Sequence, residues 1–133
     1  MSDILDVVAA IIEVDGKFLI GKRKKGKNLE GKWEFPGGKV EPLETPEGCL
    51  KREFEEEFGV EIKVKNFLGE SIFDYGKWKI RLLGYYAEHI SGEFISKDHD
   101  KIKWVSPTEF EVYNFADADI LLTKMVIYNH KRI

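Results

Sequence analysis

Apolar residues run almost unbroken through residues 5–14, with VVAAII at the centre, which marks a strand buried on both faces. Asp15-Gly16 is a two-residue hairpin signal, so residues 17–23 form the expected return strand. A basic, glycine-containing loop, KRKKGKNLEGK, follows. Residues 33–35 read as a short extended piece ended by Pro36-Gly37-Gly38, a combination that breaks regular structure and lets the backbone approach a ligand closely. A helix is expected over residues 45–58. Thr45 suits its N-cap, Pro46 its first position, Glu47 its electropositive end and Gly59 the left-handed residue past its close. Leu50, Phe54 and Phe58, four apart, form its apolar stripe. Residues 61–75 and 77–90 read as extended segments joined at Gly76, and residues 101–105 as a further short strand. Ser106-Pro107 opens a turn of helix. Asp117 or Asp119 caps a final helix that turns Leu121, Leu122, Met125 and Val126 to the core. The order β-β-α-β-β-β-α predicts an α/β fold, a mixed sheet between helices, in one domain over residues 1–133.

Composition narrows the function. The 133 residues carry a net charge of −3, too small for a protein that binds nucleic acid by its overall charge, so no stable nucleic-acid partner is expected. No apolar run approaches the roughly 20 residues of a membrane span, and MSDILD lacks the basic start of a signal peptide. The single cysteine, Cys49, excludes an internal disulfide and fits a reducing cytoplasm, where a small packed thiol in the helix is the expected role. Monomer and homodimer are both compatible with this composition.

The chemistry lies in residues 38–60, GKVEPLETPEGCLKREFEEEFGV. Glu53, Glu56 and Glu57 stand at i, i+3 and i+4 and project from one side of the expected helix. Glu53 and Glu57 lie next to the apolar stripe and Glu56 slightly further round, so the acids sit at the edge of the core. Like charges so placed cost stability unless a cation lies among them. Rigid oxygen ligands of this kind suit Mg²⁺ or Mn²⁺, ions that favour phosphate substrates.

This segment resembles the Nudix box, G-x5-E-x7-R-E-U-x-E-E-x-G-U with U a bulky apolar residue. It matches at Gly38, Glu44, Arg52, Glu53, Glu56, Glu57 and Gly59, and at the apolar positions Phe54 and Val60. The resemblance implies an α/β/α sandwich and hydrolysis of a nucleoside diphosphate linked to another group. It implies Glu53, Glu56, Glu57 and the Gly37 carbonyl as metal ligands, with Glu53 a candidate base. Arg52 would organise the box carboxylates with Glu44 as its partner. W-E-F-P-G-G-K ahead of the box is similar to the MutT-like branch, which cleaves nucleoside triphosphates, oxidised ones among them, to a monophosphate and pyrophosphate. In that branch a second acidic site precedes a tryptophan by six residues, here Asp98 before Trp104, with Asp100 able to compensate. His99 beside it reads as a loop histidine. The same likeness implies phosphate binding by Arg23 and base reading by Asp117 or Asp119. From the residues themselves, Lys39 directly after Gly-Gly is a further phosphate-binding candidate, Gly38 permits close approach, and Phe35, with Trp33 and Tyr75 behind it, is a candidate platform for base stacking. Lys24, Lys25 and Lys27 read as solvated loop charge. Other readings are a Nudix enzyme acting on ADP-ribose or a dinucleoside polyphosphate, RNA decapping, and a non-catalytic nucleotide-sensing domain.

Overall fold

The computed structural model describes residues 4–95 and 99–131. β1 (Ile4–Val14) is the axis of the sheet. Its residues Val8, Ala10 and Ile12 enter one apolar cluster and Ala9 and Ile11 the other, so the strand is covered on both faces as its apolar run requires. Asp15 and Gly16 adopt φ of 53° and 78° and close the hairpin to β2 (Lys17–Arg23), with Val14 opposite Lys17. Beyond the hairpin β2 parts from β1 and pairs with β3 (Trp33–Glu34) and β7 (His99–Val105). The place it leaves beside the first half of β1 is taken by β4 (Gly37–Lys39), antiparallel, with Gly37 opposite Ala9. The other edge of β1 pairs in parallel with β6 (Lys79–Ser91), which in turn pairs antiparallel with β5 (Glu61–Asp74).

α1 (Pro46–Phe58) covers one face through Cys49, Leu50, Phe54 and Phe58, packed on Val8, Ala10, Ile12 and Leu19. Thr45 Oγ1 accepts from the Gly48 N–H at 3.0 Å, and Gly59, at φ 70°, returns its N–H to the Glu55 carbonyl at 3.0 Å. α2 (Asp117–Lys131) and a 3-10 turn (Pro107–Val112) cover the other face, where Phe110, Ala118, Leu122 and Val126 meet Ala9, Ile11, Ile20 and Leu82. The result is the expected α/β/α sandwich around a mixed sheet. Among the described residues no helix is long and apolar enough to cross a membrane.

Four local expectations change. The Gly37-Gly38 pair is itself a strand, and neither residue has a positive φ. Gly37 is needed for space, because a Cβ there would stand 1.8 Å from the Val8 carbonyl oxygen. α2 opens at Asp117, after Ala116, so neither aspartate is its N-cap. Leu122 and Val126 are buried as expected, but Leu121 is 43% exposed. β7 begins two residues early and takes in His99, which is a buried strand residue and not a loop histidine.

Gly37→Ala should therefore destabilise the fold by about 3 kcal/mol, the upper end for overpacking against a fixed neighbour. Gly16→Ala, which meets nothing within 4 Å, should cost only the left-handed penalty of roughly 1–2 kcal/mol. Denaturant unfolding of both variants checks the order, and an equal or smaller loss for Gly37→Ala would refute the spatial argument.

Candidate active site

The exposed edge of α1 gathers the box acids around one guanidinium. Arg52 Nε donates to Glu44 Oε2 at 2.6 Å and Nη2 to Glu44 Oε1 at 3.0 Å, a bidentate pair. Arg52 Nη1 donates to Glu53 Oε1 at 2.9 Å and to Glu56 Oε1 at 3.1 Å. Arg52 thus supplies the cation that the row of acids demands. Its hydrogen bonds hold the Glu44 carboxyl down to about 2, and Glu44 in turn raises the guanidinium further above its ordinary value. Burial pushes the Glu53 carboxyl up despite Arg52, while Glu56 is 62% exposed. Gly38 lies against Glu53, and a Cβ there would meet the carboxylate carbon at 2.3 Å. Beneath the box, Cys49 is fully buried with its sulfur 3.3 Å from the Lys39 carbonyl, and burial raises its thiol to about 12.

Glu57 is 4% exposed and is held from the sheet side. His99 Nδ1 bonds to Glu57 Oε2, and His99 Nε2 bonds to Glu34 Oε2 at 2.8 Å. Burial alone would lower the imidazole, but the two carboxylates prevail and push it up to about 9. The ring is therefore doubly protonated at neutral pH and donates to both acids. Glu34 also accepts from Arg23 Nη1 at 3.2 and 3.3 Å, and Arg23 Nε donates to the Asn28 carbonyl at 2.6 Å. Little in the local sequence marks Glu34 and His99 as site residues. The one signal was a charged residue between two aromatics in W-E-F.

A cavity of about 310 Å³ opens beside this network. Its lining includes Val7 and Val8 of β1, Gly37, Gly38 and Lys39 of β4, Arg23, Glu34, Tyr75, Trp78, Ala118 and Asp119. Tyr75 and Trp78 stack at 5.7 Å between centroids, and the Tyr75 hydroxyl accepts from the Ala118 N–H at 2.9 Å, pinning the β5–β6 turn to the start of α2. Asp119 Oδ2 accepts from the Phe35 N–H at 2.9 Å. Burial drives the Asp119 carboxyl well above its ordinary value, and the nearby Glu34 adds to the shift.

Most of the residues singled out in the sequence thus surround two adjoining spaces that meet at Gly37-Gly38. Two do not fit as expected. Phe35 packs its ring against Phe110 and Phe115 and is 2% exposed, so it has almost no face for stacking and offers its N–H instead. Asp117 is exposed on the first turn of α2, whereas Asp119 lines the cavity. Asp98 lies outside the described residues, as does the side chain of Asp100. Among the described residues no three His, Cys, Asp or Glu side chains form a ready-made metal group. The donors fit a hard divalent cation nonetheless, since all are oxygens and Mg²⁺ is commonly held by one or two carboxylates together with substrate phosphates.

An α/β/α sandwich with a row of helix-borne carboxylates beside a partly open cavity suits a divalent cation and a phosphate-bearing ligand. A family model described as a NUDIX domain matches residues 4–125, and the chain belongs to that family of hydrolases, which generally use a divalent metal. It is 38% identical over 118 residues to the CTP pyrophosphohydrolase of Escherichia coli, covering 89% of this chain and 87% of the relative. It is 34% identical over 116 residues to the putative 8-oxo-dGTP diphosphatase 2 of Mycobacterium tuberculosis, covering 85% and 81%. The solution structure of the E. coli ORF135 protein superposes with a TM-score of 0.86 at 35% identity, covering 96% of this chain and 91% of that one.

The raised Asp119 carboxyl has a consequence for stability. A carboxyl raised on folding stabilises below its unfolded value, and that contribution is lost as pH climbs through the folded value. Asp119→Asn keeps an oxygen for the Phe35 N–H and removes the buried titratable group. Its Tm should exceed that of the wild type by a few degrees at pH 7, and the difference should vanish near pH 4. A lower Tm at pH 7 would contradict the burial argument.

Proposed function

We propose that the protein is a Mg²⁺-dependent nucleoside triphosphate pyrophosphohydrolase, with Mn²⁺ able to substitute, releasing a nucleoside monophosphate and pyrophosphate by attack of water on the β-phosphorus. The observation that carries this reading is the complete carboxylate set of α1 adjoining, across Gly38, the cavity that Arg23 and Lys39 enter. In this reading Glu53, Glu56, Glu57 and the Gly37 carbonyl hold the ion, with Asp98 as a further ligand. A divalent ion so bound neutralises phosphate charge and lowers the pKa of its water. Glu53, whose carboxyl burial has raised, accepts the proton of the attacking water, and Arg52 with Glu44 fixes it in place. Arg23 and Lys39 bind phosphate oxygens. Asp119 and the Phe35 N–H read the base edge, with Asp117 at the rim.

The relatives' names, a CTP pyrophosphohydrolase and an 8-oxo-dGTP diphosphatase, favour cytosine or oxidised guanine as the base. Both present an exocyclic amine that a carboxyl oxygen can accept from, and a protonated Asp119 could also donate to a base acceptor. The reading includes one catalytic domain, monomeric or homodimeric, acting in the cytoplasm, which the single buried cysteine supports.

The test is a substrate panel in Mg²⁺. It offers common, oxidised and methylated (d)NTPs beside ADP-ribose and a dinucleoside polyphosphate, and scores pyrophosphate against phosphate. Pyrophosphate from one or a few triphosphates is expected. Turnover of the diphosphate-linked compounds alone would move the substrate class, and silence from folded, metal-bound protein would replace catalysis by nucleotide sensing. Glu53→Gln and Glu57→Gln should each lower kcat by about 10² to 10⁴ while leaving circular dichroism unchanged. Wild-type turnover in either variant would refute the assignment of the box.

A further inference from the structure

His99 occupies a slot built from three elements. Its ring lies parallel to Phe58 of α1, 4° between planes and 6.2 Å between centroids. Its edge rests on Gly21 of β2, where a Cβ would stand 2.6 Å from the His99 Cδ2. Glu57 of α1 meets one ring nitrogen and Glu34 of β3 the other. The residue is 6% exposed. Glu34 in turn accepts from Arg23, which lines the cavity. A continuous hydrogen-bonded chain, Glu57–His99–Glu34–Arg23, thus joins the box helix to the cavity wall.

A buried histidine that served packing alone would not require a carboxylate on each ring nitrogen, one buried and one half-buried, and a glycine cut to its shape. Removing carboxylates from water is costly, and an apolar side chain would fill the slot without that cost. A carboxylate that ligates a metal, by contrast, gains from a partner that fixes its plane, because the ion then meets oxygens already in place. We propose that His99 is a positioning residue: it fixes the carboxylate of Glu57 for the metal and, through Glu34, ties the box to Arg23 at the nucleotide cavity. This rests on the assignment of Glu57 as a ligand in the proposed function.

The test uses the full chain and the variants His99→Ala, His99→Gln and Glu34→Gln. Binding of Mn²⁺ alone is followed by electron paramagnetic resonance, then kcat and KM for the triphosphate the wild type prefers, with circular dichroism confirming the fold. His99→Ala should weaken Mn²⁺ binding and lower kcat each by about 10- to 100-fold, the usual loss for a residue that orients a ligand. KM should change by less than about threefold, because the substrate's own contacts persist. His99→Gln, whose amide still donates to one carboxylate, should recover part of both losses. Adding Glu34→Gln to His99→Ala should cost little more, since both act on one chain. A purely structural role would reduce the active fraction and leave the Mn²⁺ dissociation constant of the folded protein unchanged. That result, or full additivity in the double variant, would overturn the proposal. Should His99→Ala fail to fold, His99→Gln and Glu34→Gln decide by the same Mn²⁺ constant. Wild-type protein that binds Mn²⁺ but hydrolyses no triphosphate would overturn the proposed function alone and leave the metal measurement to judge His99.

Discussion

The guanidinium of Arg52 donates to Glu44, Glu53 and Glu56 at once, and without such a cation the acidic edge of α1 would be held together only against its own repulsion. Both oxygens of Glu44 grip the fork, which fixes the plane in which Arg52 meets the helix acids. Glu44 belongs to the loop ahead of the helix, and its Oε1 also accepts from the Glu41 N–H. The loop, the helix and the acids are therefore one electrostatic unit. Glu57, buried on the sheet side, draws on a separate cation, the imidazolium of His99. The acids that nearly touch the core are thus braced from two directions.

Strand geometry decides where this unit meets the cavity. β2 leaves β1 after the hairpin, and a three-residue strand fills the gap. Because two of those three residues are glycines, the strand is thin. β1 approaches from one side and Glu53 from the other, with no side chain between. The box lies on the α1 face, while the cavity reaches the start of α2, and Gly37-Gly38 borders both. The glycines are needed because there is no room for anything larger, and a positive φ plays no part.

Local rules recovered what is locally determined. The doubly buried β1, the Asp15-Gly16 turn, and α1 with its Thr45 and Gly59 caps follow from periodicity and capping within a few residues. The chain that runs through His99 does not. His99 meets partners 42 and 65 positions away, and the string DHDK around it has the composition of a polar loop. Phe35 departs from expectation for a subtler reason. Side chains alternate along an extended segment, so Trp33 and Phe35 enter the core together and Glu34 between them turns the other way. The choice between Asp117 and Asp119 depended on where α2 begins, the least legible feature of a helix. A start at Asp117 leaves that residue outside and sends Asp119 inward.

Cys49 carries the only sulfhydryl in the chain, packed under the box against the carbonyl of Lys39. The thiolate is the form that attacks peroxide and disulfides, and burial that raises the thiol to about 12 suppresses it at neutral pH. A solvent-exposed thiol at that spot would become a sulfenic acid when the cell is under oxidative attack, forcing new oxygen atoms beneath the glutamates. The buried thiol has neither the thiolate nor the solvent contact that this oxidation needs, which favours an unmodified side chain beneath the box glutamates.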